Sequence, residues 1–149
     1  VYVKVPVTNS KGKFSGKVIN KLNKNKIKLN ITAVYTAYQT KQILKKIDKK
    51  TKVIISIFAG RMADTGRDPV PEIKNSIKFS RNYKNVKILW ASTREPYNFL
   101  QAKILKCHII TVPPSIIEKI EKFGKSSKKL TIDTVRGFLI DSRKSKFKL

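Results

Sequence analysis

One lysine lies inside a run of valines at the start of the chain. Lys4 stands between Val3 and Val5 in the segment VYVKVPV. Burying an ammonium group among apolar side chains is costly, and a lysine in such a place tends to give up its proton. A neutral lysine amine is a nucleophile that forms Schiff bases with carbonyl compounds. We therefore predict that Lys4 is buried and acts as a nucleophile; the alternative is an exposed lysine on an edge strand.

Polar side chains recur in step along four apolar runs of the sequence. Because side chains alternate between the two faces of a strand, residues two positions apart share a face. The residues that share a face in this way are Tyr2, Lys4, Pro6 and Thr8 in the first run, Asn30 and Thr32 in the second, Ser56 and Phe58 in the third, and Trp90, Ser92 and Arg94 in the fourth. Any one of them could merely start a turn or cap a helix. Because the same pattern occurs in four runs, we predict that these polar residues belong to one shared site.

The apolar runs alternate with segments of helical periodicity, which indicates how these residues are positioned. Predicted strands cover residues 1–7, 27–34, 52–58, 86–91 and 108–112. Predicted helices cover residues 13–22, 36–47, 71–79, 96–105, 115–123 and 131–144, the last with an apolar face. Such alternation predicts an α/β protein with a parallel sheet and helical crossovers. In a β/α barrel, catalytic groups gather at the carboxyl ends of the strands, where these polar residues are predicted to meet.

Composition sets bounds on the class of protein. The 149 residues, 40% of them apolar, suit one domain with a real core. The apolar runs are too short to span a bilayer, so no membrane partner is predicted. A single cysteine, Cys107, excludes an internal disulfide and is typical of a cytoplasmic protein. With one histidine, His108, as the other soft ligand, no metal site is expected, and no cofactor is indicated.

The formal net charge of +25 raises the alternative of a small basic module that binds RNA or another polyanion. Lysine carries most of this charge, whereas arginine is the better bidentate reader of phosphate. The lysines are also spread through every segment instead of forming one stripe, and the aromatic residues lie mostly in apolar runs. We interpret the lysines as solvated faces and predict no nucleic-acid partner.

Five segments resemble, in order, the successive motifs of transaldolases and the related fructose-6-phosphate aldolases. They are VKVPVT at residues 3–8, LNITAVY at 29–35 followed by Gln39, SIFAGR at 56–61 followed by Asp64, ASTR at 91–94 and ITVPP at 110–114. The resemblance extends from residue 1 to about residue 123. It implies a (β/α)8 TIM barrel in which a lysine on the fourth strand forms a Schiff base with a ketose phosphate, and Lys4 stands at that position.

The resemblance also implies roles for the other polar residues. Asn30 would contact the substrate hydroxyls and Thr32 would help to hold a catalytic water, with Ser56 as a further polar residue of the site. Three more residues correspond to the pocket that grips the sugar phosphate, and they are Arg61, Ser92 and Arg94. A guanidinium fork suits a phosphate group well.

The residue at position 58 distinguishes two groups of enzymes within the family, and here it is Phe58. Fructose-6-phosphate aldolases typically carry at that position a tyrosine that serves as an acid/base hydroxyl, whereas transaldolases carry phenylalanine. The resemblance therefore favours a transaldolase, which passes a three-carbon dihydroxyacetone unit between sugar phosphates, as in the pentose phosphate pathway. The alternatives are a fructose-6-phosphate aldolase and an aldolase for a specialised sugar.

The sequence departs from the family pattern in two ways. If Lys4 lies on the fourth strand, strands one to three are absent, together with the acid/base aspartate and glutamate of the first and third strands. We therefore expect residues 1–149 to be the carboxyl-terminal part of one incomplete TIM-barrel domain, with strands four to eight and a last helix, and to be inactive alone. In addition, Lys106 stands ahead of the last strand at a position where the family usually has glycine. The last helix is expected to pack on another subunit of a homo-oligomer.

Overall fold

Strands and helices alternate along residues 1–145, the part of the chain that the computed structural model describes. The strands are β1 (Val3–Pro6), β2 (Leu29–Val34), β3 (Val53–Phe58), β4 (Val86–Ala91) and β5 (Ile109–Ile110). The helices are α1 (Gly16–Lys24), α2 (Ala37–Leu44), α3 (Ala59–Ala63), α4 (Val70–Ser80), α5 (Tyr97–Ile104), α6 (Pro114–Ile120) and α7 (Ser127–Ser145). The α/β class is confirmed.

The described strands form one parallel sheet in the order β1-β2-β3-β4-β5, so that each strand pairs with the next one along the chain. One row of register partners crosses four strands and consists of Lys4, Asn30, Ile54 and Lys87. Because the strands are parallel, their carboxyl ends lie along one edge of the sheet. This arrangement brings the ends of distant segments together.

One face of the sheet is covered by helices and forms the apolar core. Its largest fully buried side chains come from β2, β3 and β4, from Val7, and from α1, α2 and α4, and they are Leu29, Ile31, Val34, Val53, Ile55, Ile57, Ile88, Trp90, Val7, Ile19, Ile43 and Ile73. Such residues alternate along each strand with residues that face the other way, as the period of a strand requires. The second face carries the polar residues and remains accessible among the described residues.

Several element predictions need correction. Helix α3 was not predicted, because five residues are too few to show a helical period. Strand β5 has two residues, where residues 108–112 were predicted. Helix α7 begins four residues before the predicted start at 131, and none of its residues is buried. Its predicted apolar face is exposed; the residues are Ile132, Val135, Leu139 and Ile140.

Within residues 1–145, no helix combines the length and the hydropathy that crossing a bilayer requires.

Candidate active site

A cavity of about 330 Å³ opens at the carboxyl ends of the strands. It is lined by all eight of the residues for which the sequence predicted a role in the site, namely Lys4, Asn30, Thr32, Ser56, Phe58, Arg61, Ser92 and Arg94. Three further residues complete the lining, and they are Leu89, Ala91 and Thr111. The predicted residues thus come together in one place, from strands β1, β2 and β3, from helix α3 and from the segment that follows β4.

Asn30 and Ser56 form the polar floor of the cavity. The hydroxyl of Ser56, which is 4% exposed, donates a hydrogen bond of 2.7 Å to Oδ1 of Asn30. An asparagine side chain has one acceptor oxygen and an NH₂ group with two donors. The hydrogen bond from Ser56 fixes which side of the Asn30 amide is the acceptor, so the NH₂ group is the part of this side chain that can donate to a ligand in the cavity.

Thr32 faces the cavity in phase with Asn30, and a β-bulge directly after it turns the end of β2 back to the core. The register with β3 shifts between Ile31 and Val34, and Ala33 has a φ of 58°. The bulge inserts one extra residue, so that Val34 returns to the core while Thr32 still faces the site. A left-handed conformation is strained for a residue with a Cβ, and such strain is often found at functional sites.

A turn at Ser92, and not strand phase, brings this residue to the cavity. Trp90 is fully buried on the helical face, whereas Leu89 and Ala91 line the cavity. The prediction that Trp90 and Ser92 share a face is therefore wrong. Ser92 has a φ of 66°, which breaks the alternation and redirects the chain after β4.

Helix α3 packs against this turn through Gly60. A Cβ atom at Gly60 would lie 1.6 Å from the carbonyl oxygen of Ser92, so that only glycine allows the two backbones to come so close. The contact joins the exits of β3 and β4. As a result, Arg61 on α3 and Arg94 beyond β4 line the same cavity.

An aromatic pair supports Arg61. Its guanidinium carbon lies 5.4 Å from the centre of the Phe58 ring, within the range of a cation–π contact. The Phe58 ring in turn lies 6.1 Å from the ring of Tyr35. Gln39 anchors this segment, because its Oε1 accepts hydrogen bonds from the backbone N–H groups of Tyr35 and Thr36.

Arg94 is held by Asp64 in a bidentate ion pair. Nε of Arg94 lies 3.1 and 3.0 Å from the two carboxylate oxygens of Asp64, and Nη2 lies 2.7 Å from Oδ2. These hydrogen bonds lower the pKa of Asp64 and raise the pKa of Arg94. Arg94 and Arg61 also line a second cavity of about 640 Å³, which adjoins the first.

Lys4 lies at the rim of the cavity and is exposed. The prediction that it is buried is wrong for the described residues, because β1 is an edge strand and no other element of residues 1–145 covers its cavity-facing side. The neighbouring valines Val5 and Val7 point to the opposite face and are buried. Lys4 therefore stands beside its register partner Asn30 and faces the cavity.

Sequence reasoning missed Leu89, Ala91 and Thr111. Leu89 and Ala91 pair in register with Ser56 and Phe58, so a correct alignment of β4 on β3 would have found them. Among residues 1–145, no carboxylate lines the cavity that contains Lys4. The same residues contain no cluster of three His, Cys, Asp or Glu side chains that could hold a metal ion.

The chain is similar to known proteins along its whole length. Residues 1–148 match the sequence model of the family described as transaldolase/fructose-6-phosphate aldolase. The chain is 31% identical over 150 residues to a probable transaldolase of a Thermoanaerobacter species, covering 100% of this chain and 63% of that protein. It is 31% identical over 124 residues to a probable transaldolase of Caldicellulosiruptor saccharolyticus, covering 82% and 54%. The chain thus spans little more than half the length of these curated relatives. It belongs to the transaldolase/fructose-6-phosphate aldolase family.

Proposed function

We propose that the protein carrying this chain is a Schiff-base transaldolase, which transfers a three-carbon dihydroxyacetone unit from one sugar phosphate to another. The observation that carries the proposal is the single cavity in which Lys4 shares space with amide, hydroxyl and guanidinium groups. Its volume of about 330 Å³ lies at the lower end of the range for small-molecule sites. Family membership supports the same reaction class.

Lys4 is the proposed nucleophile. Its amine adds to the ketone carbon of a ketose phosphate, and loss of water leaves an iminium ion. Removal of the proton from the hydroxyl on the β-carbon then breaks the bond between the α- and β-carbons, which releases an aldose phosphate as the electron pair moves towards the iminium and forms an enamine. The enamine carbon then attacks the aldehyde of an acceptor sugar, and hydrolysis of the resulting imine frees Lys4. The aspartate and glutamate that family resemblance predicts on other strands would carry the hydroxyl proton.

The other residues of the cavity have proposed binding and positioning roles. The NH₂ group of Asn30, oriented by Ser56, donates to a substrate hydroxyl, and the hydroxyl of Thr32 holds the water that forms and hydrolyses the imine. The phosphate is bound by Arg61 and Arg94, because guanidinium groups give charge-assisted hydrogen bonds to phosphate oxygens. Ser92 contributes a further hydroxyl to the same group.

Phe58 favours transfer over release. Its ring lines the cavity and offers no acidic proton, so it cannot protonate the enamine as a hydroxyl group at that place could. The enamine then persists until an aldehyde acceptor arrives. With tyrosine in place of phenylalanine, we expect more release of free dihydroxyacetone.

Borohydride trapping tests the proposal on the natural gene product. Reduction in the presence of dihydroxyacetone or fructose 6-phosphate is expected to leave a covalent adduct, which mass spectrometry of peptides should locate on Lys4. Lys4→Ala is expected to abolish the adduct. Lys87→Ala is the matched control, because Lys87 belongs to the same register row but does not line the cavity. An adduct that survives Lys4→Ala would refute the proposed nucleophile.

Further properties are proposed for the protein as a whole. A barrel of this kind needs about 250 residues, so we propose that the 149 residues alone have little or no activity. The exposed apolar side chains of α7 favour a homo-oligomer in which this helix packs on a neighbouring subunit. We place the reaction in cytoplasmic carbohydrate metabolism, since interconversion of sugar phosphates is the chemistry of the pentose phosphate pathway.

A further inference from the structure

Asp64 accepts hydrogen bonds from some of the N–H donors of Arg94 and not from the others. A guanidinium group has five N–H donors, and the ion pair with Asp64 uses the Nε–H and one hydrogen of Nη2. Three N–H groups remain, namely both hydrogens of Nη1 and the second hydrogen of Nη2. Arg94 is therefore held on one side and still has donors for an anion on the other.

The ion pair spans the same junction as the contact between Gly60 and Ser92. Asp64 is the residue at the carboxyl end of α3, and Arg94 follows the left-handed turn at Ser92. Both side chains are about half exposed, at 49% for Asp64 and 47% for Arg94. An exposed arginine without such a partner samples many rotamers, and ordering it on binding has an entropic cost.

We propose that Asp64 is a positioning residue, which holds the guanidinium group of Arg94 over the cavity so that its remaining donors bind the phosphate of a sugar phosphate. The sugar phosphate and its contact with Arg94 rest on the function proposed above, whereas the pairing of Arg94 with Asp64 is observed in the structure. The negative charge of Asp64 also repels a phosphate. At physiological ionic strength the Debye length is about 8 Å, so salt largely screens the repulsion between Asp64 and a phosphate that is farther away than this. Direct hydrogen bonds from Arg94 to the phosphate are screened less.

The chain offers a matched control for the charge of Asp64. Asp68 lines the same 640 Å³ cavity, and its Oδ1 accepts a hydrogen bond from the backbone N–H of Val70 and none from an arginine. Asp68→Asn therefore removes one negative charge from the neighbourhood while leaving Arg94 and Asp64 paired. The difference in phosphate affinity between Asp64→Asn and Asp68→Asn therefore separates the effect of positioning Arg94 from the effect of removing one negative charge.

The first measurement is the affinity of the 149-residue chain and of the natural gene product for inorganic phosphate, by calorimetry at 150 mM salt. Asp64→Asn is expected to weaken binding about three- to tenfold, the cost of ordering one arginine side chain. Asp64→Glu is expected to restore part of the loss, and Asp68→Asn to bind as well as the unchanged protein or better. In an Arg94→Ala background, Asp64→Asn is expected to have no effect. Unchanged or tighter binding in Asp64→Asn would overturn the proposal.

The second measurement separates this inference from the proposed reaction. In the natural gene product, Asp64→Asn is expected to raise KM for fructose 6-phosphate about three- to tenfold with kcat little changed. Borohydride trapping of dihydroxyacetone, which has no phosphate, is expected to be as efficient as before. An equal loss with both compounds would show a structural role and overturn the proposal. If neither the unchanged protein nor any variant forms an adduct, the proposed reaction is refuted. The phosphate affinities then decide the role of Asp64 by themselves.

Discussion

Lys106 has a backbone conformation that is ordinarily reserved for glycine. Its φ is 54°, in the turn between α5 and β5, where its backbone N–H donates to the carbonyl of Lys103. The left-handed conformation costs a residue with a Cβ about 1–2 kcal/mol. The family resemblance predicts a glycine at this position, and the structure supplies the physical reason for it. The lysine side chain is exposed, so little burial offsets this strain.

We predict that Lys106→Gly stabilises the chain by about 0.5–1 kcal/mol, since relief of the strain exceeds the entropy that glycine gains in the unfolded state. Urea unfolding at pH 7 measures the change. The matched control is Lys103→Gly, three residues earlier and inside α5, which is expected to destabilise by about 1 kcal/mol. Loss of stability in Lys106→Gly would show that the left-handed turn is not strained.

The elements are joined at the amino ends of the strands by the loop that contains Asp48. The backbone N–H of Asp48 donates to Oδ1 of Asn23 on α1, and its carbonyl accepts from Asn85 just before β4. The Asp48 carboxylate accepts hydrogen bonds from the backbone N–H groups of Thr51 and Lys50. The backbone N–H of Thr51, above all, lowers the pKa of Asp48 to about 2. This loop stabilises the fold at the end of the sheet opposite the candidate site.

Because the pKa of Asp48 is lower in the folded state, its stabilisation is present above about pH 4, near the ordinary value of an aspartate. It is lost as the pH falls towards 2. We predict that Asp48→Asn lowers the free energy of unfolding by about 1 kcal/mol at pH 7, after allowance for solvent screening. The difference from the unchanged chain should shrink between pH 4 and pH 2. Asp141→Asn on exposed α7 serves as control, and an equal effect there would contradict the prediction.

Elements and site residues differ in how far the sequence predicts them. Strand β4 was predicted with its observed bounds, because a continuous apolar run between polar residues leaves little choice. The position of Ser92 in the cavity was predicted for the wrong reason, since a left-handed turn has no periodic signal. The exposure of Lys4 could not be predicted from its valine neighbours, because burial depends on what covers the cavity face of β1. Arg94 and Asp64 both stand in family-like motifs, but their pairing depends on tertiary geometry and could not be read from the sequence.

At the scale of the whole molecule, five βα units of a TIM barrel carry a large excess of positive charge. The chain has 34 lysine and arginine residues against 9 acidic ones. Within residues 1–145, the ion pairs number four, and most cations therefore have no carboxylate partner. A net charge far from zero destabilises a compact state by self-repulsion. Repulsion between the lysines thus opposes folding at low salt.

We predict that Tm rises as sodium chloride increases from about 20 to about 300 mM, because the Debye length shortens and repulsion between like charges is screened. Differential scanning calorimetry measures the change. A chain with Lys119→Glu, near the end of α6, and Lys122→Glu, just beyond that helix, is the control and should have a smaller salt dependence, because both lysines are exposed. A fall in Tm with salt would mean that ion pairs such as that between Arg94 and Asp64 outweigh the repulsion.

The contact between Gly60 and the carbonyl of Ser92 also limits how sequences of this fold can diverge. A lineage can exchange exposed lysines with little consequence, since substitutions on the surface away from special contacts change stability little. A replacement of Gly60 would displace the exit of β4, and Arg94 would move with it. We therefore expect the residues at positions 60 and 92 to change together in evolution, since a substitution at one position requires an adjustment at the other. This coupling links two different βα units.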